Sequence, residues 1–177
     1  MKAVLISIQP KWCKLIASGK KTVEVRKTRP KLETPFKVYI YCTKDKHGWF
    51  DFGKKERLDG TVIGEFVYDR VYQYASDMFR SAPVEGTDIS TEDMEKLSCL
   101  TAKQLYEYEH SAEPKENCIY LVGVYGWHIS ELKIYDEPKP LSKFMKPYGT
   151  IIKAFDSPYI QRPPQSWCYV EEMNDGK

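Results

Sequence analysis

Gly19 closes one periodicity and opens another. Before it, Trp12, Leu15 and Ile16 recur at the spacing of one helix face, and Pro10 sits where the first helical position falls. After it, Thr22, Glu24 and Arg26 alternate with Val23 and Val25, the period of a half-buried strand. Glycine suits the left-handed residue just past a helix, so the helix end and the strand start are expected on either side of it. Ahead of both, Lys2–Ile8 reads as a first strand with β-branched Val4, Ile6 and Ile8 on one face. The chain therefore opens strand–helix–strand, with three polar side chains on one face of the second strand and Lys21 at its entry.

Glu24 and Arg26, two apart on a strand, are same-face neighbours, and with Lys21 they set one carboxylate between two cations. Two readings are open. One is a solvated strand face carrying an ordinary ion pair, which contributes only ~0–1 kcal/mol and is a poor reason for such a cluster. The other is a site that orients a polar ligand through charge-assisted hydrogen bonds.

Charge is distributed unevenly around these residues. Residues 1–57 hold 15 Lys+Arg against 5 Asp+Glu, a net of +10, while the remaining 12 and 20 give residues 58–177 a net of −8. That split suggests a basic face able to meet phosphates, or Lys-rich loops that merely solvate one end. At 177 residues, the chain has room for one domain with a sizeable core, or one domain with a large insertion. The longest apolar runs, such as Cys118–Val122, are far too short to span a bilayer. The N-terminal stretch lacks a signal peptide's long apolar region, so a cytoplasmic protein is expected. Five dispersed cysteines without a CxxC pair and three dispersed histidines indicate neither disulfides nor a metal site, and no cofactor is expected.

Further along, Lys27 to Pro35 is a basic connection, and Phe36–Cys42 is a third alternating strand. Lys44–Asp59 interleaves cations with His47, Trp49, Phe50 and Phe52, as a single-stranded nucleic-acid surface does and as a folded-back hairpin loop also would. Gly60–Gln73 is the longest strand pattern, with Gly64 marking a bulge or bend. Residues 76–116 turn polar, acidic and helical. Ser90 or Thr91 caps one helix, and Thr101-Ala102-Lys103-Gln104 is a capping box for a second, Ala102–Glu109. Asn117–Leu132 returns to strand. Within it His128, beside Trp127, is either a ligand or base, or, more commonly for such a residue, a packed histidine. Pro138 and Pro140 mark a turn, Leu141–Phe144 a helical turn, and Ser166–Val170 the last strand. These elements predict an α+β, mostly β protein: a small mixed or antiparallel barrel with short flanking helices and a helical insertion. One domain over residues 1–177 is expected, with 76–116 as the insertion.

Gly19-Lys20-Lys21-Thr22-Val23-Glu24-Val25-Arg26 resembles the G-x-K-x-x-E-x-R motif of the ASCH domain, a PUA-like β-barrel related to RNA-binding PUA domains. The preceding Ile8–Ser18 is similar to the family's strand and helix, and Trp127-His128-Ile129-Ser130 and Pro-Pro-Gln-Ser-Trp resemble its longer bacterial and phage members. The resemblance implies a cleft beside the motif for RNA or a modified nucleoside or nucleotide. Lys21, Glu24 and Arg26 would line it, with Lys20, Lys27 and Arg29 on phosphates. Glu24 would accept a hydrogen bond from a base edge. The resemblance also implies two enzymatic alternatives. One is an amidohydrolase acting on N4-acetylcytidine, with a lysine at the Lys21 position activating a threonine that stands where this chain has Glu24, and a separate glutamate carrying the proton. The resemblance assigns that glutamate to no one residue; Glu92, Glu95, Glu107 and Glu109 all lie in the 76–116 insertion, where the match is weak. The other is a metal-dependent ribonuclease, which needs a carboxylate partner for Glu24. If the chain is an enzyme, Lys21 and Glu24 are the catalytic candidates. A structural or interaction protein on the same fold is the third class.

Overall fold

The computed structural model describes residues 1–45, 58–75, 89–111, 123–150 and 156–173. The stretch 46–57 with most of the interleaved rings and cations, residues 76–88 and 112–116, and the first half of the strand expected from Asn117 lie outside them. The opening unit forms as its periodicity dictates: β1 (Lys2–Ile8), α1 (Pro10–Ala17) and β2 (Val23–Arg26). Pro10 occupies the first turn of α1, and Gly19 follows it at φ +72, a conformation that costs a residue with a Cβ roughly 1–2 kcal/mol. Cys13 and Ile16 are the buried face of the helix.

The remaining elements are β3 (Phe36–Cys42), β4 (Val62–Tyr68), β5 (Val71–Tyr74), α2 (Thr91–Ser98), α3 (Ala102–His110), β6 (Val124–His128), β7 (Ser130–Lys139) and β8 (Trp167–Glu171), with a 3₁₀ turn at Leu141–Lys143. Ser90 caps α2 through the backbone N–H of Asp93, and both halves of the Thr101–Gln104 capping box are made. One sheet runs β7-β4-β3-β1-β8 and the other β2-β6-β5. β1 lies parallel to β3 and antiparallel to β8.

Three expectations need correction. The barrel is not closed: among the described residues the strands form two separate ladders. The long strand over Gly60–Gln73 is two strands in different sheets, broken at Asp69–Arg70, and the Asn117–Leu132 pattern is broken the same way at Ile129. Here the alternation continues while the pairing partner changes. The two crossings are pinned together, since His128 N donates to Arg70 O at 3.0 Å and Ser130 Oγ to Val67 O at 2.8 Å. Finally, Pro138 does not end a strand. It lies within β7, an edge strand whose register against β4 is irregular between Ile134 and Lys139, where a missing N–H is tolerated.

Gly64 does mark an irregularity, as expected. A Cβ there would sit 2.5 Å from the carbonyl oxygen of Lys133 in β7, so the close approach of the two backbones requires glycine. The main core gathers Val4, Ile6 and Ile8 of β1, Cys13 and Ile16 of α1, and Val38, Ile40, Phe66 and Trp127. A separate cluster places Val23 and Val25 of β2 against Met94 of α2 and Leu105 of α3. The apolar face of β2 is thus covered by the helical pair, and its polar face turns to the junction of the two sheets.

Candidate functional site: the Glu24–Arg26 cleft

Lys21, Glu24 and Arg26 meet in one ion network. Lys21 Nζ lies 3.3 Å from Glu24 Oε2, and Arg26 Nη2 lies 2.9 Å from Glu24 Oε1. It is not a surface decoration, for the side chains of Lys21 and Glu24 are 1% and 7% exposed. An ammonium taken out of water needs several acceptors, and the fold supplies them. Lys21 Nζ donates to Ser98 O at 2.7 Å and lies 5.2 Å from the centroid of the Trp12 ring. Ser98 is the last residue of α2, where unsatisfied carbonyls and the negative end of the helix dipole both favour a cation. Thr22 N donates to Leu97 O on the same helix end, locking the motif's entry to α2.

Arg26 ties the two sheets together. Its Nη2 donates to Ser7 O at 2.6 Å, at the end of β1, and its Nη1 to Ser166 Oγ at 3.4 Å, while Nε is buried without a partner. Glu24 and Arg26 form part of the wall of an open cleft of about 570 Å³. Across from them stand Trp12 and Lys11 of α1, Tyr108 and Glu107 of α3, and Gln165 of the segment before β8. Burial pushes the Tyr108 phenol up, against the pull of the Arg26 charge.

Of the residues singled out in the sequence, Glu24 and Arg26 face the cleft and Lys21 stands behind them. Lys27 is at the rim, its Nζ 5.5 Å from the Tyr108 ring centroid. Lys20 is exposed on the turn after α1, and Arg29 lines neighbouring clefts instead. Among the four candidate proton-carrying glutamates, Glu107 lines the cleft, whereas Glu109 is buried and Glu95 accepts from Ala102 N. Trp127, paired with Glu24 in the ladder, is fully buried, so the aromatic wall comes from Trp12 and Tyr108. Neither ring carries a binding signal in the sequence: the spacing of Trp12 is that of a helix's core face, and Tyr108 lies in the polar helical stretch. Gln165 carries none beyond its Pro-Pro-Gln loop.

His128 is held by Asp69, with Nδ1 to Oδ1 at 2.7 Å. Burial raises the Asp69 carboxyl, but the hydrogen bond and charge of His128 outweigh it and hold the group below its ordinary 3.8. Among the described residues, no three His, Cys, Asp or Glu side chains are gathered as a metal ion requires, and Cys13, Cys42, Cys99 and Cys168 are free thiols.

The ASCH domain family model matches residues 6–122, a span that contains the whole motif and most of the cleft. The chain belongs to the ASCH family. An ASCH domain-containing ribonuclease of Zymomonas mobilis is 28% identical over 129 residues, covering 68% of this chain and 84% of that protein. The crystal structure of ASCH from Zymomonas mobilis superposes with a TM-score of 0.58 at 18% identity, over 96% of this chain and 88% of that one. A Tyr-to-Phe mutant of the same protein gives 0.57 at 18% identity, over 97% and 92% of the two chains. At that identity the likeness is one of fold. No helix of the described residues is long and apolar enough to cross a membrane.

Proposed function

We propose that this ASCH chain binds single-stranded RNA, with one base held in the Glu24–Arg26 cleft. The observation that carries the reading is a carboxylate anchored by two cations and opening onto a cleft walled by Trp12 and Tyr108. Fixing Glu24 on both sides aims its remaining lone pairs, which suits an exocyclic amine on a base edge. Arg26 Nε is a buried donor without a protein acceptor, and a base or phosphate oxygen supplies one. The rings offer sequence-tolerant stacking, and Lys11 and Lys27 stand at the rim for phosphates. The Zymomonas mobilis relative is named a ribonuclease, which points to the same class of partner. On this reading residues 76–116 are an insertion in a single domain, and its helices α2 and α3 hold the motif and wall the cleft.

That name also favours a second reading, in which the bound strand is cleaved. The amidohydrolase reading has less support. It needs Lys21 to take a proton from a hydroxyl, yet its ammonium is spent on Ser98 and Glu24 behind the cleft wall. Titration of a fluorescent single-stranded RNA at rising salt tests the binding, with electrophoresis of the same mixtures to reveal cleavage. Affinity that falls steeply with salt is expected. Absence of binding at low salt, or an affinity indifferent to salt, rejects the proposal.

A further inference from the structure

Beyond the motif cleft, the connection from β2 to β3 forms a second concavity. Lys27, Arg29, Pro30, Lys31 and Leu32 line, with Tyr125 of β6, a cleft of about 590 Å³. Three of these are cations, and no carboxylate lines the cleft among the described residues. The segment is held in place: Lys31 N donates to Tyr169 Oη at 2.8 Å, Trp167 Nε1 donates to Thr28 Oγ1 at 3.0 Å, and Pro30 is buried. Its cations rest on rings, Lys27 Nζ at 5.5 Å from Tyr108 and Arg29 at 5.7 Å from Tyr125. Such interactions are weak at exposed sites and yield to a charge-assisted bond with an anion.

The concavity continues past Arg29 into one of about 550 Å³ bounded by Tyr68 and Arg70. Tyr68 Oη is buried there without a hydrogen-bond partner, an O–H waiting for an acceptor. Two acids border this end. Asp69 is already taken by His128, and Glu33 is exposed. Lys27, which rests on Tyr108, joins this run to the motif cleft that Tyr108 also lines.

We propose that the cleft of the 27–32 segment and its extension to Arg70 are a phosphodiester track for a strand leaving the motif cleft. The ligand is then an oligonucleotide, not a nucleoside or a mononucleotide. A row of cations interleaved with tyrosine rings is how proteins follow a single-stranded backbone without reading its sequence. The inference rests on the RNA-binding reading above and adds where the strand runs.

The test compares labelled single-stranded RNAs of increasing length, a nucleoside monophosphate and inorganic phosphate, on the wild type and on Lys31→Ala/Arg70→Ala. Both side chains are exposed, and circular dichroism verifies that the variant folds. Affinity should rise with length in the wild type. In the variant, long strands should bind more weakly, with the salt slope reduced by about 0.7 for each phosphate the missing cations held. Mononucleotide affinity should not change. Equal affinity for mononucleotide and long strand, or an unchanged slope in the variant, overturns the track but leaves base binding in the motif cleft intact. Inorganic phosphate binding as tightly as the strand, and abolished in the variant, assigns the cleft to free phosphate and also overturns it. If no RNA of any length binds, the underlying reading falls as well.

Discussion

Three partners converge on the buried Lys21 side chain: a helix-end carbonyl, Glu24 and the Trp12 ring. Removing Lys21 leaves Glu24 paired with Arg26 alone and the Ser98 carbonyl without its donor, which costs about 1–3 kcal/mol. Lys21→Ala is therefore expected to lower unfolding stability by that amount in urea. A double-mutant cycle with Glu24→Gln should show a coupling of about 0.5–3 kcal/mol, and additive effects would mean the pair is not a unit. Trp12→Ala leaves the Lys21–Glu24 and Glu24–Arg26 ion pairs but removes the ring beside Lys21, and should weaken RNA binding by about 1–3 kcal/mol, the usual loss of a stacking ring, as read by anisotropy. Asp69 gives a pH signature. Its carboxyl is held below its ordinary 3.8 in the folded protein, chiefly by His128 working against burial, so its contribution is present above 3.8 and is lost as pH falls through the lower folded value. The urea midpoints of wild type and Asp69→Asn should thus differ near neutrality and converge in acid. A constant gap down to the lowest pH would contradict the assignment.

At the scale of elements, the cleft depends on helices that touch it from outside the motif. The last residue of α2 receives Lys21, and α3 supplies Tyr108. Thr101→Ala removes one half of the capping box that starts α3 and should cost about 1 kcal/mol, with a matching loss of amide-exchange protection in that helix. Gly64→Ala meets the Lys133 carbonyl oxygen at 2.5 Å, an obstacle of backbone that cannot rotate away. It should destabilise by about 1–3 kcal/mol, visible in thermal unfolding, while an ordinary surface Ala substitution would not. Both caps and β1, α1 and β3 were legible in the sequence to within a residue, since cap chemistry and periodicity are local. The breaks at Asp69–Arg70 and Ile129 were not, because alternation does not change when a strand passes from one sheet to another.

At the scale of the whole molecule, α1 and the polar face of β2 meet the end of β1, and α3 closes the cleft from far along the chain. The basic excess of residues 1–57 is concentrated in the part of the sequence that supplies α1, β2 and the 27–32 segment. Binding of RNA should accordingly depend on ionic strength with a slope of about 0.7 per phosphate neutralised, which a titration series in salt measures directly. The sequence by itself determined the opening strand–helix–strand unit, the family motif and the alternation that sets Glu24 and Arg26 on one face. All of these follow from spacing along a few turns or pleats. Only the tertiary structure decided that Lys21 is buried against Ser98, that Trp12 and Tyr108 are the walls, and that the strands of the described residues form two ladders rather than a closed barrel. Those facts depend on partners far apart in the chain, whose burial and pairing no local pattern encodes. At Gly19–Arg26 the two kinds of information meet: the motif's order was set locally, and its role as a cleft wall by what packs against it.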